Sequence, residues 1–388
     1  ERGGRLVVRH GHVEDVVPAV AAEAGAGVVY ACGDASAYAR GRDRRVGRCV
    51  DLRLGPGLFI ARFGELRTNA REPFKVYSPF RRAWERQPRR PLQRAPSAVP
   101  VPPKVRSDGV PALQAVGFDR PARDLEDRPE PGEAAAIAAM EAWVGGGIAD
   151  YDRSRDTLAG QTSRMSQYLH FGCLSPLRLE QRSQAAGGAG AQVYRQELAW
   201  RDFYAYVLVH HPRIPRDAFR EEMDRLEWSD DAEALEAWKT GRTGYPVVDA
   251  AMRQLVACGW MHNRARMIAA SFLTKDLHID WRAGERFFME HLIDGDVGSN
   301  NGGWQWVAGT GTDPSDYTRV FNPSLQQQRF DPEGRYVRRW VAELADVPDA
   351  FLSKPWELDE PPADYPGPIV DHARERRRAI EEYRRVRG

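Results

Sequence analysis

Cysteine is scarce: Cys32, Cys49, Cys173 and Cys258 are the only four in 388 residues, far apart and without a Cys-x-x-Cys pair. That excludes a disulfide framework and a ribbon-type zinc site, and it makes the four expected reduced core thiols. Apolar residues never run on for the roughly twenty positions a membrane-spanning helix needs. The opening Glu1-Arg2-Gly3-Gly4 is neither a signal peptide nor a lipidation site, so cytoplasm is the expected compartment. Also missing are a Walker loop, a G-x-S-x-G elbow and an H-E-x-x-H pair, and the nine histidines show no metal-ligand spacing. Hydrolase machinery and a metal centre are therefore not expected. A net charge of +1 gives no overall sign, and so argues neither for nor against a nucleic-acid partner.

What is present suffices for two domains, since 42% of the residues are hydrophobic. The first segment alternates short β-branched runs with helical ones: Arg5 to Arg9 as strand, Val13 to Ala24 as helix, Gly27 to Ala31 as strand, Ala35 to Val46 as helix, Cys49 to Leu54 as strand. This is the pattern of a doubly wound parallel α/β sheet, which commonly has about five strands. The shortfall predicts that residues preceding Glu1 complete it. Residues 87–131, rich in Pro, Arg and Asp, read as a surface connector between an incomplete α/β domain (1–86) and an all-α domain (132–388). Helices are predicted over Glu133 to Val144, Val193 to His210, Ala232 to Lys239, Val247 to Ala257, Asn263 to Asp276 and Trp281 to Leu292, with Ala185 to Ala191 as a small-residue loop. The arginine runs Arg81 to Arg94 and Arg374 to Arg385 read as solvated faces.

Chemistry concentrates between Gly241 and Asp313. Trp260, Trp281, Trp304 and Trp306 stand there among Asn263, Asn300 and Asn301, polar groups that a buried segment must satisfy with specific partners. Upstream, Glu197, Trp200, Arg201 and Tyr204 recur at spacings of three and four and so share one helix face. An indole, a carboxylate and a guanidinium on one face suit a flat polar ligand such as a nucleobase; a Glu197/Arg201 salt bridge beside a packed indole is the bland alternative. Asn263, Arg266 and Met267 repeat that geometry on a later helix. Asp294-Gly295-Asp296 and Ser299 to Trp304 read as a glycine-softened approach to a ligand or as a plain turn. Thr162-Ser163-Arg164 looks like a helix start able to hold a phosphate.

Taken in order, Thr162-Ser163-Arg164, Glu197-Leu198-Ala199-Trp200-Arg201, Gly244-Tyr245-Pro246, Trp260-Met261-His262-Asn263-Arg264, Asp294-Gly295-Asp296 and Asn301-Gly302-Gly303-Trp304-Gln305-Trp306 resemble the photolyase/cryptochrome family, closest to its class I cyclobutane pyrimidine dimer photolyases. The resemblance spans the helical part and, more loosely, the α/β part.

That resemblance implies light-driven repair of pyrimidine dimers in DNA by a protein acting as a monomer with bent FAD in its helical domain. Tyr151, Thr162, Ser163, Arg164 and Ser166 would surround the cofactor phosphates. Asp294 and Asp296 would address the isoalloxazine edge, Arg266 would pair with Asp294, and Asn300 would lie over flavin N5. Trp304, Trp281 and Trp228 match the family's electron-hopping chain, whereas Trp143 and Trp340 read as core aromatics. Trp200 and Trp306 would grip the flipped lesion, Glu197 and Asn263 would hydrogen-bond it, and Met267 would touch it. Arg155, Arg264 and Gln326 match positions on the DNA side.

Two departures stand out. The loop Leu158-Ala159-Gly160-Gln161 is one residue short of the family pattern, with Gln161 where glycine is common, and the family's first strand and its Arg-Asp-Leu-Arg motif are absent. An antenna chromophore, of the methenyltetrahydrofolate or the 8-hydroxy-5-deazaflavin type, would bind partly to that portion, so its identity stays open; Phe74 to Phe80 is the remaining landmark there. The alternatives are a cryptochrome-type photoreceptor without repair, against which Asn300, Met267 and the Glu197/Trp200/Trp306 set argue, and a (6-4) photolyase, which carries histidines where Asn263 and Met267 stand.

Overall fold

The computed structural model describes residues 3–118, 124–312 and 319–387. Glu1 and Arg2, part of the connector (119–123), Asp313 at the end of the Trp-rich segment and Gly388 lie outside the described residues.

The α/β pattern is present but smaller than expected. Helix α1 (Val13–Ala24) leads to β1 (Val29–Cys32), then α2 (Ala37–Val46) leads to β2 (Leu52–Gly55), and the two strands pair in parallel with Val29 opposite Leu52. Arg5 to Arg9 is not a strand. Its backbone bonds go to the connector instead: Val8 N donates to Ser107 Oγ at 2.9 Å, Asp108 N donates to Val8 O at 2.8 Å, and the Arg5 guanidinium reaches Val105 O. The connector is correspondingly pinned, with Val105 only 2% exposed. Among the thiols only Cys258 is buried; Cys32 and Cys49 are exposed and Cys173 is intermediate, all four free, so the core-thiol expectation fails for the strand-side pair.

The remaining chain is helical: α3 (Tyr77–Arg86), α4 (Glu133–Gly145), α5 (Tyr151–Ser154), α6 (Ser166–His170), α7 (Pro176–Ala186), α8 (Gly188–His210), α9 (Ala232–Thr240), α10 (Pro246–Cys258), α11 (Asn263–Ser271), α12 (Trp281–His291), α13 (Val297–Ala308), α14 (Pro323–Phe330), α15 (Arg335–Trp340) and α16 (His372–Arg387). Three expectations need correction. The small-residue run from Ala185 is no loop, because only Gly187, at φ 68°, separates α7 from α8. The predicted helix Asn263 to Asp276 ends as one wide π turn over Phe272–Asp276. The Gly- and Asn-rich run after Asp296 is helix α13, because the Asp296 carboxylate accepts from Ser299 N at 2.7 Å and caps it.

Two apolar cores organise the molecule and cut across the expected division. One gathers Tyr77, Phe80 and Trp84 of α3 with Met140 of α4, Leu177 of α7 and Phe203 and Tyr206 of α8; the other gathers α9 to α15 around Trp238, Phe272, Trp281 and Phe288. Asp202, fully buried on α8, staples the α/β side to the first core by accepting from Ile60 N at 3.0 Å, Ala61 N at 2.8 Å and Trp84 Nε1 at 2.9 Å. Arg89 and Arg90 are not part of a solvated face either. Arg90 donates to Ile60 O and Phe59 O, and Arg89 lies 4.0 Å over the Trp84 ring, as extended guanidiniums do when they satisfy loop carbonyls. Among the described residues no helix is long and apolar enough to cross a membrane, and no group of three His, Cys, Asp or Glu side chains could hold a metal.

Candidate active site

Helix α13 packs against α8, α11 and α12, and these four helices carry half of the predicted site residues. Its glycines permit this closeness: a Cβ on Gly302 would fall 2.1 Å from the Tyr204 ring of α8.

On α8 the shared face is real but its pairing differs from the bland alternative. Glu197 bonds Arg155 of the α5 end at 2.8 Å, while Arg201 turns to Leu58 O at 2.7 Å. Burial pushes the Glu197 carboxyl above its usual value, against the opposing pull of Arg155. Half-buried Trp200 is stacked on Tyr77 of α3, with centroids 3.6 Å apart and planes 7° from parallel.

On α11 the Asn263 amide is exposed and lies 3.8 Å from Met267 Sδ, as the i, i+4 spacing dictates. Arg264 pairs with Asp156 at 2.9 Å and covers the Phe330 ring at 4.5 Å. Arg266 Nη2 donates to both oxygens of buried Asp294, at 2.9 and 3.1 Å, while its Nε donates to Met261 O at 2.9 Å and holds the guanidinium in place. His262 caps α11, its Nδ1 accepting from Arg264 N at 3.1 Å; burial pushes its imidazole down to about 4, so the ring is neutral.

On α13 the Asn300 amide donates to Glu285 O at 2.9 Å, and Asp296 is engaged as the cap. Asn301 is structural, buried and donating to Ile214 O at 3.1 Å. Trp304 is 3% exposed, and its ring tip abuts Gly284, one turn along α12 from fully buried Trp281. Trp228 is half-buried and packs at the junction of the second core with the end of α16. Half-buried Trp306 lies under Arg319, whose guanidinium is 6.0 Å from its centroid.

The predicted phosphate segment differs from a capped helix start. Helix α6 begins only at Ser166, with Met165 at the cap position and no side-chain cap. Arg164 takes a left-handed conformation at φ 47° and lies 4.7 Å over the Trp260 ring. Ser163 Oγ accepts from the Tyr194 hydroxyl at 2.9 Å, and Tyr194 makes an edge contact with Tyr151 at 5.2 Å, so Tyr151 and Ser163 meet through it. Ser166 is exposed, its hydroxyl 3.4 Å from Gln167 Oε1, and Thr162 is half-buried. Trp143 is core, as expected, packing edge-on against Tyr151 at 5.7 Å; Trp340 is partly buried against the second core. Gln326 stands apart, on α14 facing α16.

Sequence reasoning misses Tyr77, Tyr194, Asp202 and Trp238. Trp238 is fully buried, its ring 6.1 Å from that of Trp304. Only the helical spacing of Tyr77, Phe80 and Trp84 carries a signal, and it marks α3 as packed rather than as an aid to Trp200.

The buried polar atoms left without a partner test whether a cofactor belongs here. Arg164 Nε, His262 Nε2, Arg264 Nε and Trp304 Nε1 are among them, all within the motif segments. Each such atom costs about 1–3 kcal/mol unless something bonds it. A ligand rich in heteroatoms fits that set.

Comparison with known proteins agrees. A model described as the FAD binding domain of DNA photolyase matches residues 194–385, and one described as DNA photolyase matches residues 1–101. The deoxyribodipyrimidine photo-lyase of Streptomyces griseus is 44% identical over 409 residues, covering all of this chain and 85% of that protein. Among solved structures, a class III photolyase from Agrobacterium tumefaciens superposes with a TM-score of 0.91 at 34% identity, over 100% of this chain and 85% of the other. A Synechocystis cryptochrome gives 0.90 at 28% identity, over 98% and 84%. From its helical site to its two-stranded α/β part, the chain belongs to the DNA photolyase family.

Proposed function

We propose that this protein uses light to split cyclobutane pyrimidine dimers in DNA, with FAD held in its helical part. The observation that carries the reading is the convergence of α8, α11 and α13: Glu197 and Trp200, Asn263 and Met267, and Asn300 and Trp306 stand on elements packed through one another. When bound, reduced FAD supplies the photoexcited electron.

The chain's own residues then bind and orient. Arg266, which bonds Asp294, would hold that carboxylate for the isoalloxazine together with Asp296 and Asn300, and Tyr151, Thr162, Ser163, Arg164 and Ser166 would hold the phosphates. Trp200 and Trp306 stack on the flipped bases, at about 1–3 kcal/mol each. Glu197, whose carboxyl burial pushes upward against the pull of Arg155, hydrogen-bonds a pyrimidine, Asn263 reads the same edge, and Met267 packs on the lesion. Trp304, Trp281 and Trp228 would supply oxidisable indoles between the protein surface and the cofactor site. Arg155, Arg264 and Gln326 position the strand without reading its sequence. The protein acts as a monomer in the cytoplasm, associated with the nucleoid through DNA. The division we assign is an α/β domain over 1–86, a connector over 87–131 and a cofactor domain over 132–388. An antenna chromophore of folate or deazaflavin type would belong to the α/β side, where a hollow of about 510 Å³ lies beside Gly33, Asp34 and Arg44.

Incubation with a thymine-dimer oligonucleotide tests the reading. Thymine is restored under blue light and not in darkness. Equal failure in both favours the cryptochrome-type photoreceptor that the Synechocystis structure brings into view.

A further inference from the structure

Three of the seven α16 arginines are accounted for by a carboxylate. Arg374 bonds Glu375 at 2.6 Å, Arg378 approaches the same carboxylate at 3.5 Å, and Arg385 pairs with Glu227 at 3.2 Å. Arg376 and Arg377 differ. Both are exposed, neither has a hydrogen bond or ion pair among the described residues, and both line a hollow of about 520 Å³. Its other wall is the segment Phe321, Asn322, Leu325 and Gln326 at the start of α14.

The helix carrying these two guanidiniums is held rigidly. His372 Nδ1 meets Asp276 at 2.5 Å, His278 Nε2 meets Glu375 at 3.0 Å, and the Tyr383 hydroxyl donates to Ala308 O at 2.5 Å. Two neighbouring positive charges carried on this held helix at one concavity, with no ion pair of their own among the described residues, repel each other and gain from an anion that neutralises both. The hollow also adjoins the proposed lesion opening. Arg319 lies 5.3 Å over Phe321, which lines the hollow, and 6.0 Å over Trp306. Gln326, matched by resemblance to the DNA side, sits in its wall.

We propose that the hollow between α14 and α16 is a phosphodiester subsite, in which Arg376 and Arg377 grip the DNA backbone beyond the nucleotides that enter the lesion site. It rests on the repair reading above. The subsite reads no base, so it strengthens binding to damaged and intact duplex alike.

Fluorescence-anisotropy titrations of a dimer-containing and an intact duplex, between about 50 and about 200 mM salt, test it. The double variant Arg376→Gln/Arg377→Gln binds both duplexes about tenfold more weakly, and its salt dependence is shallower by about one power of salt for each phosphate it no longer neutralises. Arg376→Lys/Arg377→Lys keeps most of the affinity. Arg384→Gln removes a charge from the same helix about 12 Å further along and changes neither quantity. The proposal is overturned by wild-type affinity and slope in the double Gln variant, or by equal weakening in Arg384→Gln, which would reduce the effect to net charge. A wild-type protein without preference for the dimer-containing duplex overturns the repair reading instead, and the subsite is then decided by the slope on intact duplex alone.

Discussion

Tyr77 of α3 and Trp200 of α8 lie face to face, 3.6 Å between centroids and 7° from parallel, so one face of the indole proposed to grip the lesion is already occupied by the protein itself. The Tyr77 hydroxyl donates to Gln196 O at 2.8 Å and locks the ring in place. In the proposed role Trp200 would therefore meet DNA preorganised, with only its remaining surface for a base. An aromatic pair of this kind is worth about 0.5–1.5 kcal/mol beyond its area. Tyr77→Ala should weaken binding of dimer-containing DNA roughly 2- to 10-fold by that measure. Tyr77→Phe, which keeps the stack and loses only the hydroxyl bond, should lie closer to wild type in the same titration.

Asp202 joins the two halves by a different means. Its carboxylate is fully buried and accepts from two backbone amides and the Trp84 indole, while burial pushes its pKa upward. Removing the acceptor strands three buried donors, each costing about 1–3 kcal/mol. Asp202→Ala should lower the urea midpoint by the equivalent of several kcal/mol, and proteolysis should then cut within 56–62 first. Asp202→Asn retains part of the acceptor set and should fall between wild type and the Ala variant.

How much of this is legible in the sequence depends on where the partner sits. Helices α8 to α12 follow from apolar spacing because their cores are local and continuous, and the pairing of Arg266 with Asp294 comes with the resemblance of the motifs. Arg5 to Arg9 has the β-branched composition of a strand, yet its donors and acceptors are taken by Ser107 and Asp108, about a hundred residues away, which no local pattern encodes. The run after Asp296 looks like a turn because glycine and asparagine disfavour helices. There the Asp296 cap and the need to approach Tyr204 closely outweigh propensity. Tyr77 and Asp202 escape a sequence reading because their roles exist only across the junction of the two halves.

The Arg266–Asp294 pair makes a further prediction about cofactor retention. Asp294 is almost wholly buried and Arg266 partly so, so deleting the arginine leaves a carboxylate without its counter-charge, at a cost of roughly 2 kcal/mol after allowance for solvent screening at Arg266. Arg266→Leu should lose flavin, read as the absorbance ratio of flavin to protein after gel filtration. Adding Asp294→Asn to it should recover stability, because the orphaned charge is gone, without recovering flavin. Additive losses in the two variants would mean that the pair is not coupled.

His262 gives the acid limb of the stability curve. Its Nδ1 accepts from Arg264 N; burial, with Arg264 and Arg266 adding to it and Asp156 and the Arg155 backbone opposing it, pushes the imidazole from 6.5 down to about 4, so the folded protein holds the neutral ring. A depressed pKa contributes stability that is complete above 6.5 and is lost as pH falls toward 4, because the unfolded chain takes up the proton first. At about 1.4 kcal/mol for each pH decade the loss approaches about 3 kcal/mol. Asp276 works in the opposite sense over part of the same range: burial raises it from 3.8 to about 6, so its contribution is present at low pH and lost as pH rises through that value. The two are separated by comparing wild type with His262→Asn, which shares Asp276 and keeps a good cap acceptor. Urea midpoints of the two proteins should be similar above pH 7 and diverge below 6.5, with wild type the less stable. Parallel curves down to pH 4 would show that the folded protein tolerates an imidazolium at the start of α11.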